Sequence, residues 1–217
     1  MLRRDYIVRM IEELGQFLAR VRQQVSDQQY PEADLELEKA MERLLGPGQD
    51  VEKLSETELL ALLTADGPTQ MVREKTMILV ALLEEAGRLR VAEGREQAGE
   101  ACWLKALNLL LTLMLQDAEL EFPEFVPKID LLRDQLRETE LPLQTLAALW
   151  RHYERVGEFA RAEDSLADLR EAEPENAALR EEARAFYERL LRESDRALEA
   201  GNLPRAEVEA GLAELRT

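Results

Sequence analysis

The sequence predicts an all-α fold of antiparallel helical hairpins stacked against one another. Composition is the first reason. Leu, Ala, Glu and Arg dominate the 217 residues, Gly is scarce at 10, and aromatics make up only 5%; straight-chain residues lose little rotamer freedom in a helix. The second reason is a phrase that recurs at the turns. Gly157-Glu-Phe159-Ala-Arg-Ala162-Glu163 returns as Gly201-Asn-Leu203-Pro-Arg-Ala206-Glu207, with a looser copy at Gln28-Gln-Tyr30-Pro31-Glu-Ala33-Asp34. Each copy has a turn, an apolar anchor two residues on, and a small Ala three residues beyond that. Each lies between stretches of helical periodicity, and self-similarity of this kind marks stacked hairpins, which bind more often than they catalyse.

The elements follow in order. Residues 2–24 place Ile7, Met10, Ile11, Leu14, Phe17, Leu18 and Val21 at spacings of three and four, one stripe of a helix. After a turn at 26–30, Pro31 suits the first position of a second helix, where its missing N–H costs nothing. That helix carries Leu35, Leu37, Met41 and Leu44 and stops at Gly46-Pro47-Gly48. A polar loop at 49–54 leads to Ser55-Glu-Thr-Glu58, a capping box opening a short helix through Leu63. Asp66-Gly67-Pro68 reads as a turn. The next helix, 69–92, is apolar on almost every face between Met77 and Leu83 and should be central. A turn at Glu93-Gly94-Arg95 precedes a helix at 96–116 holding Trp103, Leu104, Leu107, Leu109, Leu110 and Leu113. Its most apolar stretch, 101–115, is shorter than a membrane span requires and reads as a core helix.

Segment 117–128 breaks the pattern with four acids and two prolines. It has no Gly for the sharp turn of a calcium loop, so it reads as a solvated loop dividing a single 1–217 domain into helical hairpins at 1–116 and at 129–217. A short helix at 129–137 is followed by helices at 142–156, 159–172, 176–200 and 203–216.

Charge narrows the partners. The net charge of −17 disfavours nucleic acid, whose phosphates need a basic surface. The acid is uneven, because residues 1–25 carry five Arg against three acids, a net of +2. A single Cys, Cys102, excludes an internal disulfide and suits a reducing compartment. Charged residues interrupt the N-terminus too often for a secretory signal. These features predict a cytoplasmic protein without a transmembrane segment.

The segment 143–176 resembles a tetratricopeptide repeat, a 34-residue helix–turn–helix, through Leu146, Leu149, Tyr153, Gly157, Phe159, Ala162 and Pro174, with Leu166 where an aromatic is common. The resemblance implies a right-handed superhelix of irregular repeats. It departs from the repeat at Trp150, a position that usually holds a small residue, and at Leu169, usually Ala. The next phrase comes 44 residues later, which implies a first helix about ten residues longer in that unit. A fainter match spans 80–113 through Leu83, Gly87, Gly94, Gly99, Trp103 and Ala106, with Arg90 where an aromatic is expected. The opening Asp5-Tyr6-Ile7-Val8-Arg9-Met10-Ile11-Glu12 also resembles the start of a bacterial family of uncharacterised proteins with no assigned activity.

Catalytic constellations are not found in the sequence. One His, His152, cannot supply a di-iron or zinc site. Cys102, at the edge of an apolar helix, reads as a buried inert thiol, and His152, between Arg151 and Arg155, as a residue of a polar face. No phosphate loop or nucleophile elbow is present, and the carboxylates read as solvated helix faces. No cofactor or metal is expected, and no enzymatic activity.

In tetratricopeptide arrays the first helix of each hairpin lines a concave groove that holds a partner segment. By that register Gln144, Ala147, Arg151 and Arg155 face the groove, and Arg184 of the next helix adds to it. Arg151 and Arg155, four apart, share a face and match a carboxylate. The family's carboxylate-clamp pattern of Lys and Asn is absent, since Ala147 and Arg151 stand there. The same arginines can instead pair with Glu154, Glu158 and Glu181. The function this implies is a scaffold or adaptor for an unknown protein partner. A second reading is self-assembly into a homo-oligomer, or docking on an anionic surface, through residues 1–25. A third is an enzyme or small-molecule sensor with a site between helices near Trp103 and Cys102.

Overall fold

The computed structural model describes residues 2–64, 69–117 and 120–215, with side chains from residue 13 onward except Thr69. Among the described residues all regular structure is helical, so the all-α class holds. The Asp66-Gly67-Pro68 turn, Glu119, and the side chains of Arg3, Arg4, Ile7, Arg9, Met10 and Ile11 lie outside them.

The chain forms two compact units, Met1–Glu140 and Leu141–Thr217. The first contains α1 (Leu2–Ser26), α2 (Tyr30–Leu45), α3 (Glu56–Thr64), α4 (Thr69–Ala92), α5 (Glu96–Gln116) and α6 (Ile129–Gln135). The 117–128 segment lies within this unit rather than dividing it, because α6 packs back on α5 through the chain's own apolar residues Ile129 and Leu132. Asp117 of that segment pairs with Arg73 at 2.7 Å.

Helix α4 is the hub, packed against α1, α2, α3 and α5. Every residue from Met77 to Leu83 is buried, as a helix apolar all round must be. Its crossing with α5 is close because both helices present glycine there. A Cβ at Gly87 would fall within 3.0 Å of three Trp103 ring atoms, and one at Gly99 would meet the Gly87 carbonyl. Trp103 is then locked by its indole N–H, which donates to the Glu84 carbonyl at 3.1 Å. By length and composition α5 is also the one described helix that could cross a membrane; here most of its apolar side chains are covered by protein.

Local signals shape the rest. Ser55 and Glu58 form the capping box reciprocally, with Ser55 N–H donating to Glu58 Oε2 at 2.8 Å and Glu58 N–H to Ser55 Oγ at 3.3 Å. Of the basic residues in 1–25, Arg20 pairs with Glu36 at 3.1 Å, and Arg22 pairs with Glu85, both inside this unit.

The second unit contains α7 (Leu143–Val156), α8 (Phe159–Ala172), α9 (Ala177–Leu190), α10 (Asp195–Ala200) and α11 (Arg205–Glu214). The long helix expected at 176–200 is broken. Ser194 stops it by capping α10, its hydroxyl accepting from Ala197 N–H at 3.2 Å, and such a cap requires its own backbone to leave the helical region. Tyr153 joins α7 to α8: the Arg161 guanidinium stacks 4.3 Å from its ring centre and donates to its hydroxyl at 2.8 Å. Trp150 turns to α9, meeting Phe186 edge-on at 5.9 Å, so the bulky residue at a usually small position becomes the α7–α9 contact.

Four turns share one hydrogen-bond pattern, in which a residue with positive φ donates three residues back and its successor five back. They centre on Gln28, Gly94, Gly157 and Asn202, and close α1–α2, α4–α5, α7–α8 and α10–α11. The recurring phrase places its Schellman turn on its first residue at Gln28 and Gly157, and one residue later, on Asn202, in the copy that begins at Gly201. Two copies touch, since Ala160 N–H donates to Gly201 O at 3.0 Å, and a Cβ on Gly201 would collide with the Gly157 carbonyl and the Phe159 ring. The small residue of the phrase is buried at Ala33 and Ala162 but exposed at Ala206; there the close approach is made instead by Gly211 against the Tyr187 ring.

Candidate binding groove

Helix α7 carries two faces. Leu146, Leu149, Trp150 and Tyr153 go inward, and Arg151 and Arg155 go outward, the outcome of 100° per residue on an amphipathic helix. At its C-terminal end the Schellman turn at Gly157 (φ 80°) brings Phe159 beneath the last turn. Helix α9 lies alongside through the Trp150–Phe186 contact and adds Arg189 and Leu190.

Between them opens a groove of about 630 Å³ lined by Arg151, Arg155 and Arg189, by the carboxylates Glu154 and Glu193, and by Val156, Phe159 and Leu190. Val156 is 51% exposed and offers an apolar surface beside the guanidinia. Arg189 is held rigidly by Glu154 in a two-pronged pair, Nε to Oε1 at 2.6 Å and Nη2 to Oε2 at 2.9 Å. That pairing holds the Arg189 guanidinium above its ordinary pKa. Glu154 is thereby occupied. Arg151 makes no ion pair among the described residues.

Arg151 and Arg155 line this groove; Gln144, Ala147 and Arg184 do not. Arg184 pairs along its own helix with Glu188 at 3.0 Å. Glu158 pairs with Arg161 at 2.7 Å. Arg189 was not foreseen in the sequence, because its tie to Glu154 spans 35 residues and no i, i+4 spacing announces it.

The remaining chemistry-bearing residues behave differently. His152 does not sit on a polar face: it is 9% exposed, its ring 5.5 Å from that of Tyr153, because it follows the inward stripe of α7. Cys102 is buried, and burial pushes its thiol up to about 11, where little thiolate forms at neutral pH. Among the described residues no three His, Cys, Asp or Glu side chains gather as metal ligands.

The first unit holds polar clusters that the sequence reading took for solvated faces. Glu84 and Glu85, adjacent on α4, are 2% and 1% exposed. Glu84 accepts from Arg88 and from Gln135 at 3.0 Å, and Glu85 from Arg22 of α1. Burial, together with the charge of Glu84, pushes the Glu85 carboxyl up to about 7 despite Arg22. Arg90 is likewise enclosed by Asp34 at 2.8 Å, Glu52 at 2.5 Å and Glu93 at 3.3 Å.

No curated protein matches the chain, and no solved structure does. A family model matches residues 1–217, its description being a family of unknown function. The protein belongs to that family of unknown function, DUF6483, over its whole length.

Proposed function

We propose that the protein is a non-enzymatic interaction scaffold whose C-terminal unit binds an acidic segment of a partner protein. The observation that carries this reading is the α7–α9 groove, which Arg151 and Arg155 line together with the exposed Val156 and the braced Arg189. Carboxylates of the segment meet the guanidinia, and an apolar residue next to them covers Val156. The groove takes in Arg151 and Arg155, two of the residues to which the tetratricopeptide resemblance gives a partner-binding role. Hydrogen bonds to charged groups are worth about 1.5–3 kcal/mol each, so two such contacts plus a covered Val suit a micromolar, salt-sensitive interaction.

The test is affinity capture of the tagged protein from its native lysate, in parallel with an Arg151→Glu/Arg155→Glu variant. The expected result is a partner retained by the wild type, released by raised salt and lost from the variant. A partner held equally by both would remove the groove from the mechanism.

A further inference from the structure

The chain holds a segment that suits its own α7–α9 groove. The groove sets three guanidinia, Arg151, Arg155 and Arg189, against two carboxylates, Glu154 and Glu193. It is net positive on a chain whose net charge is −17. Opposite charge steers association, and a second copy of the chain is in sum opposite to this groove.

A segment that fits must bear unpaired acids, an uncovered apolar side chain and open backbone groups. Residues 120–124, between α5 and α6, meet all three conditions. Glu121 and Glu124 are exposed and make no ion pair among the described residues. Leu120, Phe122 and Pro123 are each partly exposed. Residues 120–122 make no backbone hydrogen bond among the described residues, so their N–H and C=O groups are open to a partner. The segment also stands on a fixed base. Val126 and Ile129 just beyond it are buried, and Val126 N–H donates to Pro123 O at 3.0 Å.

Other irregular stretches do not meet these conditions. In loop 49–54 Asp50 is held by Lys53, and Glu52 by Arg90 and Arg95. In 136–141 Glu138 pairs with Arg137, and Leu141 is buried. Residues 173–176 carry no apolar side chain besides Pro174. Reach agrees with the choice. Glu121 and Glu124 lie three residues apart, a span of at most about 10 Å. Arg151 and Arg155 are rooted about 6 Å apart along α7, and their long stems take up the difference.

We propose that the α7–α9 groove takes residues 120–124 of a second copy of this chain, with Glu121 and Glu124 on Arg151 and Arg155 and Phe122 on Val156. The proposal rests on the reading of the groove as an acceptor of acidic segments, and it names the occupant. The contact joins unlike surfaces, so each copy offers one patch and receives on another. The net charge shared by two copies opposes their approach, which places association at about 10 μM to 1 mM.

The test is sedimentation equilibrium of the full-length protein across that range, beside Arg151→Glu/Arg155→Glu and Glu121→Arg/Glu124→Arg. All four positions are exposed, so both variants should keep the wild-type circular dichroism spectrum. The average mass of the wild type should rise with concentration. Either variant alone should stay monomeric, its association weakened at least tenfold. An equimolar mixture of the two variants should associate again, because each reversed patch then meets its complement. A wild type that is monomeric throughout overturns the proposal. Association that either reversal leaves intact overturns it too, as does a mixture that stays monomeric. A monomeric wild type whose lysate partner is still lost from Arg151→Glu/Arg155→Glu overturns this inference alone and leaves the groove an acceptor for another protein.

Discussion

Replacing Glu85 with Gln should flatten the dependence of stability on pH. The Glu85 carboxyl is 1% exposed and beside Glu84. Burial raises it from its ordinary 4.5 to about 7. The folded state therefore holds this proton more tightly than the unfolded chain. Below pH 4.5 both states are protonated and the group contributes fully to stability. Between 4.5 and 7 the unfolded chain releases the proton while the folded protein keeps it, so stability falls as pH rises. Above 7 the contribution is gone. At 1.36 kcal/mol per unit, the loss across that window is about 3 kcal/mol. Arg22 does not cancel it, because its own side chain is 52% exposed and remains hydrated. Gln occupies nearly the same volume and cannot titrate. Urea unfolding at pH 5, 6, 7 and 8 reads the difference. A Trp150→Phe background leaves Trp103 as the only indole, reporting on the first unit alone. The wild type should lose about 2.5 kcal/mol more than Glu85→Gln over this range, since the lowest pH already lies inside the window. Other carboxylates titrate alike in both proteins and drop out of the comparison. Parallel curves for the two would refute the assignment of a neutral-range proton to this site.

The α4–α5 crossing makes Gly87→Ala destabilising by about 2–3 kcal/mol, since the added methyl runs into the Trp103 ring and disturbs its bond to Glu84 O; urea unfolding followed by Trp103 emission measures it. The shared turn makes opposite predictions at two of its copies. Gln28 holds φ at 59°, which costs an L-residue about 1 kcal/mol, so Gln28→Gly should stabilise by up to that amount and raise the melting temperature by about 2–4 °C. Gly157→Ala should lose about the same, at φ 80°. Shifts of the same sign in calorimetric melting would contradict the turn assignment.

Local signals in the sequence translate directly into this structure. The capping box at Ser55, the turns at 28, 94 and 157, and the apolar run of α4 each depend on residues within one or two turns of one another. What sequence reading misses is set across the fold. Ser194 is an ordinary polar residue until its hydroxyl caps α10. Glu84 and Glu85 look like one more solvated acidic pair; they are buried because α1 and α6 bring Arg22 and Gln135 to them. His152 is judged by its neighbours Arg151 and Arg155, yet 100° of rotation puts it on the other side. In the groove, Arg151 and Arg155 are visible through their i, i+4 spacing, whereas Arg189 becomes part of it only through a pair with Glu154 on another helix.

The Schellman turn at Gly94 has a bearing on how the chain is made. Its hydrogen bonds reach back no more than five residues, from Arg95 to Arg90, so it can close as soon as those residues leave the ribosome. Helix α4, already complete at that moment, then offers Gly87 and the exposed edge of its apolar run to α5 as each turn of α5 appears. The described helix that is long and apolar enough to cross a membrane is born beside the surface that covers it. Had the order of the two been reversed, a 21-residue apolar helix would have waited in water for its partner, where membranes and other nascent chains compete for it.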